Sequence, residues 1–184
     1  HFKKKIYLIP NGVDMNFFKQ EDKRLAREKI NLPIKKNIIL FLGDRKNERK
    51  NFILLDKASH FINRESDILT PYPVGHSEIT SYLNACDVLV LTSFNEGSPN
   101  VIKEAMACNI PIVSTDVGDV CWLFGDEPGH FLTTFDPEDV ANKIQMALEF
   151  GKRTKGRDRL RTLGLDSETV AKKIVTVYQQ VQKK

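Results

Sequence analysis

The feature of this sequence that most constrains its fold is the segment 87–108, DVLVLTSFNEGSPNVIKEAMAC. Its apolar run at residues 88–91 is typical of a strand buried on both faces, as in the middle of a parallel sheet. After a turn, Ser98 supplies a hydroxyl cap and Pro99 a first-turn proline for a helix with an apolar face. The segment therefore predicts a strand, a turn and a helix, which is the repeating unit of α/β folds.

The predicted helix start is suited to binding an anion. The N–H groups of Asn100, Val101 and Ile102 lie in its first turn, without partners inside the helix and at the positive end of its dipole. Glu96 precedes the helix, and Glu104 lies about 40° around the axis from Asn100. Ionised carboxylates only accept hydrogen bonds, and sugar hydroxyls donate them. The pattern therefore favours a ligand with hydroxyl-rich groups on both sides of a phosphate.

Three segments resemble a known family. The sequence EGSPNVIKEA (residues 96–105) resembles the sugar-donor signature of retaining glycosyltransferases of the GT-B fold, family 4. IPNGVDMNFF (residues 9–18) resembles the linker between the two domains of that family, and FLGDRKNERKN (residues 41–51) resembles its phosphate-contacting loop. Two glutamates at this spacing are common on any charged helix, whereas the three segments in this order are far more specific.

The resemblance implies roles for individual side chains. Glu96 would be the catalytic residue that holds hydroxyls of the transferred sugar, and Glu104 would bind the ribose hydroxyls. Lys50, with Arg45, would contact the diphosphate. The other implied sugar-donor-binding positions are Gly43, Gly97, Ser98, Pro99, Asn100, Val101 and Gly118.

The loop at residues 41–51 departs from the family at two positions. In the resembling enzymes an arginine directly follows the glycine, whereas this chain has Asp44 there, with Arg45 next to it. Asn51 stands where glycine is usual. Because Asp44 replaces a cationic arginine in the implied diphosphate site, the sequence also favours a domain that binds the ligand without catalysing a reaction.

The whole pattern predicts a single α/β domain over residues 1–184, a Rossmann-like three-layer sandwich with a mostly parallel sheet. By resemblance it is the C-terminal half of a GT-B enzyme. Residues 1–18 would be the interdomain linker with a leading strand at 6–9, and residues 166–184 a helix, capped by Ser167, that crosses back to a missing N-terminal domain. Further strands are predicted at 37–42, 66–72, 110–114 and 129–133, and further helices at 22–32, from 52, at 76–85 and from 136.

Composition limits the partners and the location. The chain has 184 residues, 41% of them hydrophobic, and a net charge of +4. That charge suits anionic partners such as sugar nucleotides or acidic lipid surfaces, and no nucleic-acid-binding motif is present. Residues 3–5 are lysines, for which a solvated surface is favoured over a lipid contact. Without a run of roughly 20 apolar residues or a signal peptide, the chain is expected to be cytoplasmic, with peripheral binding at the inner membrane face as an alternative.

The cysteines and histidines predict neither disulfides nor metal. Cys86, Cys108 and Cys121 are odd in number and unpaired in spacing, which favours buried thiols in a reducing compartment. The four histidines show no ligand spacing, so no metal site is expected.

The expected function is to bind a nucleoside diphosphate sugar, with no metal or other cofactor, for transfer of a hexose-type sugar. The acceptor would be held by the N-terminal domain of the same enzyme or be lipid-linked, and the fragment alone would be inactive. A two-carboxylate hydrolase is disfavoured, because it has no use for a phosphate-binding helix start. A sugar-nucleotide epimerase of similar fold and a non-catalytic nucleotide-sugar-binding module remain open.

Overall fold

The structure, a computed structural model, describes residues 6–182. Its strands are β1 (Asn37–Leu40), β2 (Ser66–Leu69), β3 (Val88–Leu91), β4 (Ile112–Thr115) and β5 (His130–Thr133). Its helices are α1 (Lys23–Lys29), α2 (Phe52–Ser59), α3 (His76–Ala85), α4 (Asn100–Ala107), α5 (Val120–Phe124), α6 (Pro137–Phe150), α7 (Gly156–Leu163) and α8 (Ser167–Gln182). A 3-10 helix, Glu48–Lys50, precedes α2.

The five strands form one fully parallel sheet in the order β2-β1-β3-β4-β5. The prediction of a Rossmann-like α/β domain with a parallel sheet is therefore confirmed. Strands β1 and β3 are neighbours, with Leu40 beside Leu89, and the direction of winding reverses between them. Open α/β sheets bind ligands beyond the carboxyl ends of the strands at such a reversal. The topology alone therefore predicts a ligand site at the loops that follow Leu40 and Leu91.

The core lies on both faces of the sheet. Val88 and Val90 of β3 belong to an apolar cluster formed with α2 and α6. Leu89 and Leu91 belong to a second cluster, formed with α4 and α7. Burying side chains of this size stabilises the fold by about 1.5–3 kcal/mol each. The predicted three-layer arrangement is therefore present, and it fixes where β3 delivers the chain to α4.

The predicted leading strand at residues 6–9 is wrong. These residues form no strand, and Ile6 and Leu8 are 90% and 93% exposed. The main chain of this segment is bound to the domain at Val13, whose N–H donates to Leu165 O at 2.9 Å. An apolar tetrapeptide with no strand beside it has nothing to pair with, so its pattern alone does not make a strand. Residues 3–5, for which a solvated surface is favoured over a lipid contact, lie outside the described residues.

The C-terminal helix α8 begins as predicted, although its cap is a different residue. Asp166 Oδ1 accepts a hydrogen bond from the N–H of Thr169 at 2.8 Å, so the aspartate caps the helix and the predicted Ser167 does not. Among the apolar residues of α8, Val170 is buried, whereas Ile174 and Val181 are 40% and 63% exposed. Much of the apolar face of α8 is therefore uncovered by residues 6–182.

The three cysteines are free thiols. Burial raises the pKa of both Cys86 and Cys108 to about 12, which makes these two thiols unreactive at neutral pH. The prediction of buried thiols is confirmed for these two residues, whereas Cys121 is exposed.

Candidate functional site

The loop after β1 is tied to the end of β3. Thr92 Oγ1 donates to the carbonyls of Lys50 and Asn51, at 3.1 and 2.9 Å, and the N–H of Phe94 donates to Arg49 O at 2.9 Å. Asn51 has a left-handed backbone with φ of 50°, a conformation that asparagine tolerates better than most residues. The geometry explains why glycine is expected at this position and why asparagine can replace it. The loop therefore holds Lys50 at the switch between β1 and β3.

Lys50 and Glu96 form an ion pair at this switch. Lys50 Nζ donates to Glu96 Oε1 at 2.7 Å, Ser93 Oγ donates to the same oxygen at 2.9 Å, and Arg49 lies 3.7 Å from Oε2. The Glu96 side chain is 9% exposed. Burial alone would raise the pKa of Glu96, but the hydrogen bonds from Lys50 and Ser93 outweigh it and the pKa is lowered. Glu96 is thus an ionised carboxylate held by a cation.

Glu104 lies in a pocket beside this pair. The pocket has a volume of about 350 Å³. Its lining residues are Leu42, Gly43, Asp44, Asn47, Lys50, Tyr72, Val74, Ile79, Val101 and Glu104. Burial raises the pKa of Glu104, against the opposing charges of His76 and Lys103. Its carboxylate makes no hydrogen bond with any residue from 6 to 182, so its oxygens can accept hydrogen bonds from a ligand.

Residues 97–101, which we call the cradle, lie between the two glutamates. Gly97 is exposed, with nothing within 4 Å of the position that a Cβ would take. The N-cap of α4 is Pro99, one residue earlier in the helix than its predicted place. Within the described chain the N–H groups of Asn100 and Val101 have no hydrogen-bond partner, so the cradle offers main-chain donors at a helix start.

Ser98 does not have its predicted role as a helix cap. Its Oγ accepts a hydrogen bond from Lys103 Nζ at 2.9 Å and donates one to Asp119 Oδ2 at 2.5 Å. The hydroxyl is therefore directed away from the first turn of α4, because it accepts from the buried lysine and donates to the aspartate at the same time. Sequence reasoning missed Lys103, and the one signal for it was a charged residue among Ile102, Ala105 and other buried positions of α4.

Arg45 lies apart from the Lys50–Glu96 pair. Its guanidinium lies over the ring of Phe52, 4.2 Å from the ring centroid, in a cation–π contact. Asp44 Oδ1 accepts from the N–H of Lys46 at 2.8 Å and shapes the turn that follows Gly43. Of the two cations predicted to contact the diphosphate, the structure brings only Lys50 to the glutamates.

Gly118 lies against the cradle. Its φ is +60°, and a Cβ at this position would lie 2.2 Å from Gly97 O and 2.8 Å from Glu96 O. Only glycine allows this approach, because any side chain would collide with main-chain atoms. The loop after β4 therefore supports the turn that carries Glu96.

Residues 6–182 contain neither a membrane-spanning helix nor a metal-binding cluster. No helix in this range is long and apolar enough to cross a bilayer. No group of three or more histidine, cysteine, aspartate or glutamate side chains in the same range is arranged to hold a metal ion.

Comparison with known proteins places the chain in a family. A family model described as glycosyl transferases group 1 matches residues 35–149, more than half of the chain. The D-inositol 3-phosphate glycosyltransferase 2 of Catenulispora acidiphila is 25% identical over 182 residues, covering 79% of this chain and 43% of that enzyme. The chain therefore spans less than half the length of this relative.

Solved structures match the fold over almost all of the chain. Sucrose-phosphate synthase from Thermosynechococcus elongatus has a TM-score of 0.83 at 25% identity, covering 96% of this chain and 53% of that one. Anabaena HepE, solved in complex with UDP and glucose, has a TM-score of 0.74 at 20% identity, covering 95% and 57%. Together with the family match, these likenesses show that the chain belongs to the group 1 glycosyltransferases and is a C-terminal domain of the GT-B fold.

Proposed function

We propose that this domain binds the sugar donor, a nucleoside diphosphate sugar, for a retaining glycosyltransferase of family 4. A hexose-type sugar would pass to an acceptor held by an N-terminal domain of the same enzyme. The observation that carries the proposal is the cradle, whose unpartnered N–H groups on Asn100 and Val101 lie between Glu96 and Glu104. The complex of HepE with UDP and glucose supports a ligand of this class.

The two carboxylates suit different parts of such a ligand. Glu96 is ionised and held by Lys50, so its free lone pairs accept hydrogen bonds from hydroxyls of the transferred sugar. Glu104 lies in the pocket beside apolar side chains, including Val74 and Ile79. Its carboxylate suits the ribose hydroxyls of a nucleoside, and the base would pack on those apolar residues. The diphosphate would lie between them, on the cradle.

The same groups would favour the transition state. Negative charge grows on the diphosphate as the bond to the sugar breaks. The N–H groups of the cradle and the ammonium of Lys50 are already oriented, so they stabilise that charge more in the transition state than in the ground state. We expect these donors and this cation to act without a metal ion. The chain alone, without an acceptor-binding domain, would transfer nothing.

The proposed setting is the cytoplasm, and the alternative acceptor is a lipid-linked one at the inner membrane face. A non-catalytic nucleotide-sugar-binding module is the second candidate function. Asp44 favours this non-catalytic function, because its carboxylate lines the pocket and repels the negative charge of a diphosphate. The two candidates share the sugar-donor site and differ in whether sugar transfer by the complete protein depends on Glu96.

The proposed function is tested by thermal unfolding of residues 1–184 with three nucleotide sugars, UDP-, GDP- and ADP-glucose, and with their nucleoside diphosphates and parent nucleosides. A ligand that binds only the native state stabilises it by about 2.7 kcal/mol at 100 times its Kd. We expect at least one of the three to raise Tm, with the parent nucleoside raising it less. If no nucleotide sugar or nucleoside diphosphate shifts Tm at millimolar concentration, the proposal is wrong.

Glu104→Ala should weaken binding of the preferred nucleoside diphosphate about tenfold, because hydrogen bonds to a charged group contribute about 1.5–3 kcal/mol. It should leave the free energy of unfolding unchanged or higher. Burial raises the pKa of Glu104, so the ionised carboxylate destabilises the fold at pH values above its ordinary pKa.

The matched control for this change is Glu138→Ala, in the first turn of α6 and away from the pocket. Calorimetric titration measures the affinities and chemical denaturation the stabilities. Equal affinities of the unmodified chain and Glu104→Ala for every nucleotide would remove the ribose assignment.

A further inference from the structure

A fully buried lysine lies beneath the cradle. Lys103 is 0% exposed, on α4 directly before Glu104. Its Nζ donates to Asn11 O and to Ser98 Oγ, each at 2.9 Å. Burial lowers the pKa of Lys103, whereas the charges of Asp119 and Glu104 act to raise it. A methionine would fill this position without the desolvation cost of an ammonium, so packing alone does not account for the lysine.

The lysine joins three separate parts of the chain. Asn11 belongs to the segment before Val13, Ser98 to the cradle, and Asp119 to the loop after β4. Ser98 Oγ, which accepts from Lys103, donates to Asp119 Oδ2 at 2.5 Å. All three residues line a second, larger pocket of about 980 Å³ at the start of α4. The buried network therefore holds together the segments that shape this end of the sheet.

The ammonium lies at the start of α4. Long side chains on a helix point back toward its N-terminus, which is why Nζ reaches a residue five positions earlier. A charge that is buried there is little screened by salt. Ser98 has a single proton and gives it to Asp119, so its side chain has no donor left for a ligand. Within this buried network, Lys103 therefore supplies the positive charge at the start of α4, and Asp119 offsets it.

We propose that Lys103 is a positioning residue of the sugar-donor site: it ties the cradle to the loop at residues 118–119 and supplies the buried positive charge that favours a diphosphate over an uncharged nucleoside. The inference rests on the proposed function of the cradle. Asp119 opposes this charge, and its Oδ1 is buried with no hydrogen-bond partner among residues 6–182. Removing one or the other of these two groups should therefore shift phosphate affinity in opposite directions.

The test is an NMR-monitored titration of residues 1–184 with two ligands. The first is whichever of UDP, GDP and ADP raises Tm most, and the second is its parent nucleoside. Lys103→Met should weaken diphosphate binding about tenfold and nucleoside binding less than about threefold. Asp119→Asn should leave diphosphate binding unchanged or make it tighter. Lys57→Met, the same change at an exposed lysine of α2, should alter neither affinity.

If Lys103 had a purely structural role, Lys103→Met and Asp119→Asn would each bind the diphosphate and the nucleoside more weakly, by the same factor for both ligands. That result, or weaker diphosphate binding by Asp119→Asn, would overturn the inference. If circular dichroism shows that Lys103→Met is unfolded, the direction of the Asp119→Asn effect decides the question. If the unmodified chain binds no nucleotide, both the proposed function and this inference are overturned. If it binds nucleotide but the two variants change its affinity in directions other than those predicted, this inference alone is overturned.

Discussion

Glu96→Gln, in a complete enzyme that carries this domain, is expected to lower kcat/KM by about 10²–10³-fold, the size of effect seen when one preorganised polar contact to a transition state is removed. Glutamine keeps the shape of the side chain but loses the charge that Lys50 holds at 2.7 Å. The sugar would then be held by a weaker acceptor.

The same change should leave the affinity for the free nucleoside diphosphate unchanged or higher. Without the carboxylate, the ammonium of Lys50 is released from its pair and is available to phosphate oxygens. Steady-state kinetics and calorimetric titration measure the two effects separately. Glu48→Gln, at an exposed residue of the 3-10 helix that carries Lys50, is the matched control. Full turnover by Glu96→Gln would favour the non-catalytic module.

Gly118→Ala is expected to destabilise the fold by about 2–5 kcal/mol and to remove nucleotide binding. The left-handed backbone costs a non-glycine residue about 1–2 kcal/mol, and forcing atoms into a packed site adds about 1–3 kcal/mol. The added Cβ would lie 2.2 Å from Gly97 O, so either the loop or the cradle must move.

Gly151→Ala separates the two costs. Gly151 has the same φ of +60°, but its nearest contact to an added Cβ is an ordinary 3.4 Å. Chemical denaturation should therefore show a loss of about 1–2 kcal/mol for Gly151→Ala, from the backbone conformation alone. If the two variants lost equal stability, and Gly118→Ala still bound nucleotide, the loop at Gly118 would not support the cradle as described.

Much of the fold was predictable because local patterns determine it. The apolar run at residues 88–91 and the change to helical periodicity after Pro99 predict β3 and α4 directly. Asp22 and Asp136 cap α1 and α6 where the sequence places the helix starts. Residues 6–9 show the limit of such reasoning, since a strand depends on a neighbour that the local pattern does not reveal.

Contacts between distant residues account for what the sequence did not predict at the site. The ion pair of Lys50 with Glu96 spans 46 positions, and the hydrogen bond of Lys103 to Asn11 spans 92. Neither follows from spacing along the chain, because each depends on the order of the strands. Ser98 illustrates the consequence, since its type and position predict a cap, yet Lys103 and Asp119 take its hydroxyl.

The most direct test of the central claim is an amide ¹H–¹⁵N spectrum of residues 1–184, recorded while the preferred nucleoside diphosphate is added. If the cradle binds the diphosphate, the largest shifts should come from the amides of Gly97, Ser98, Asn100 and Val101, with smaller shifts around Lys50 and Glu104. Unchanged cradle amides, with shifts confined to another part of the domain, would contradict the account.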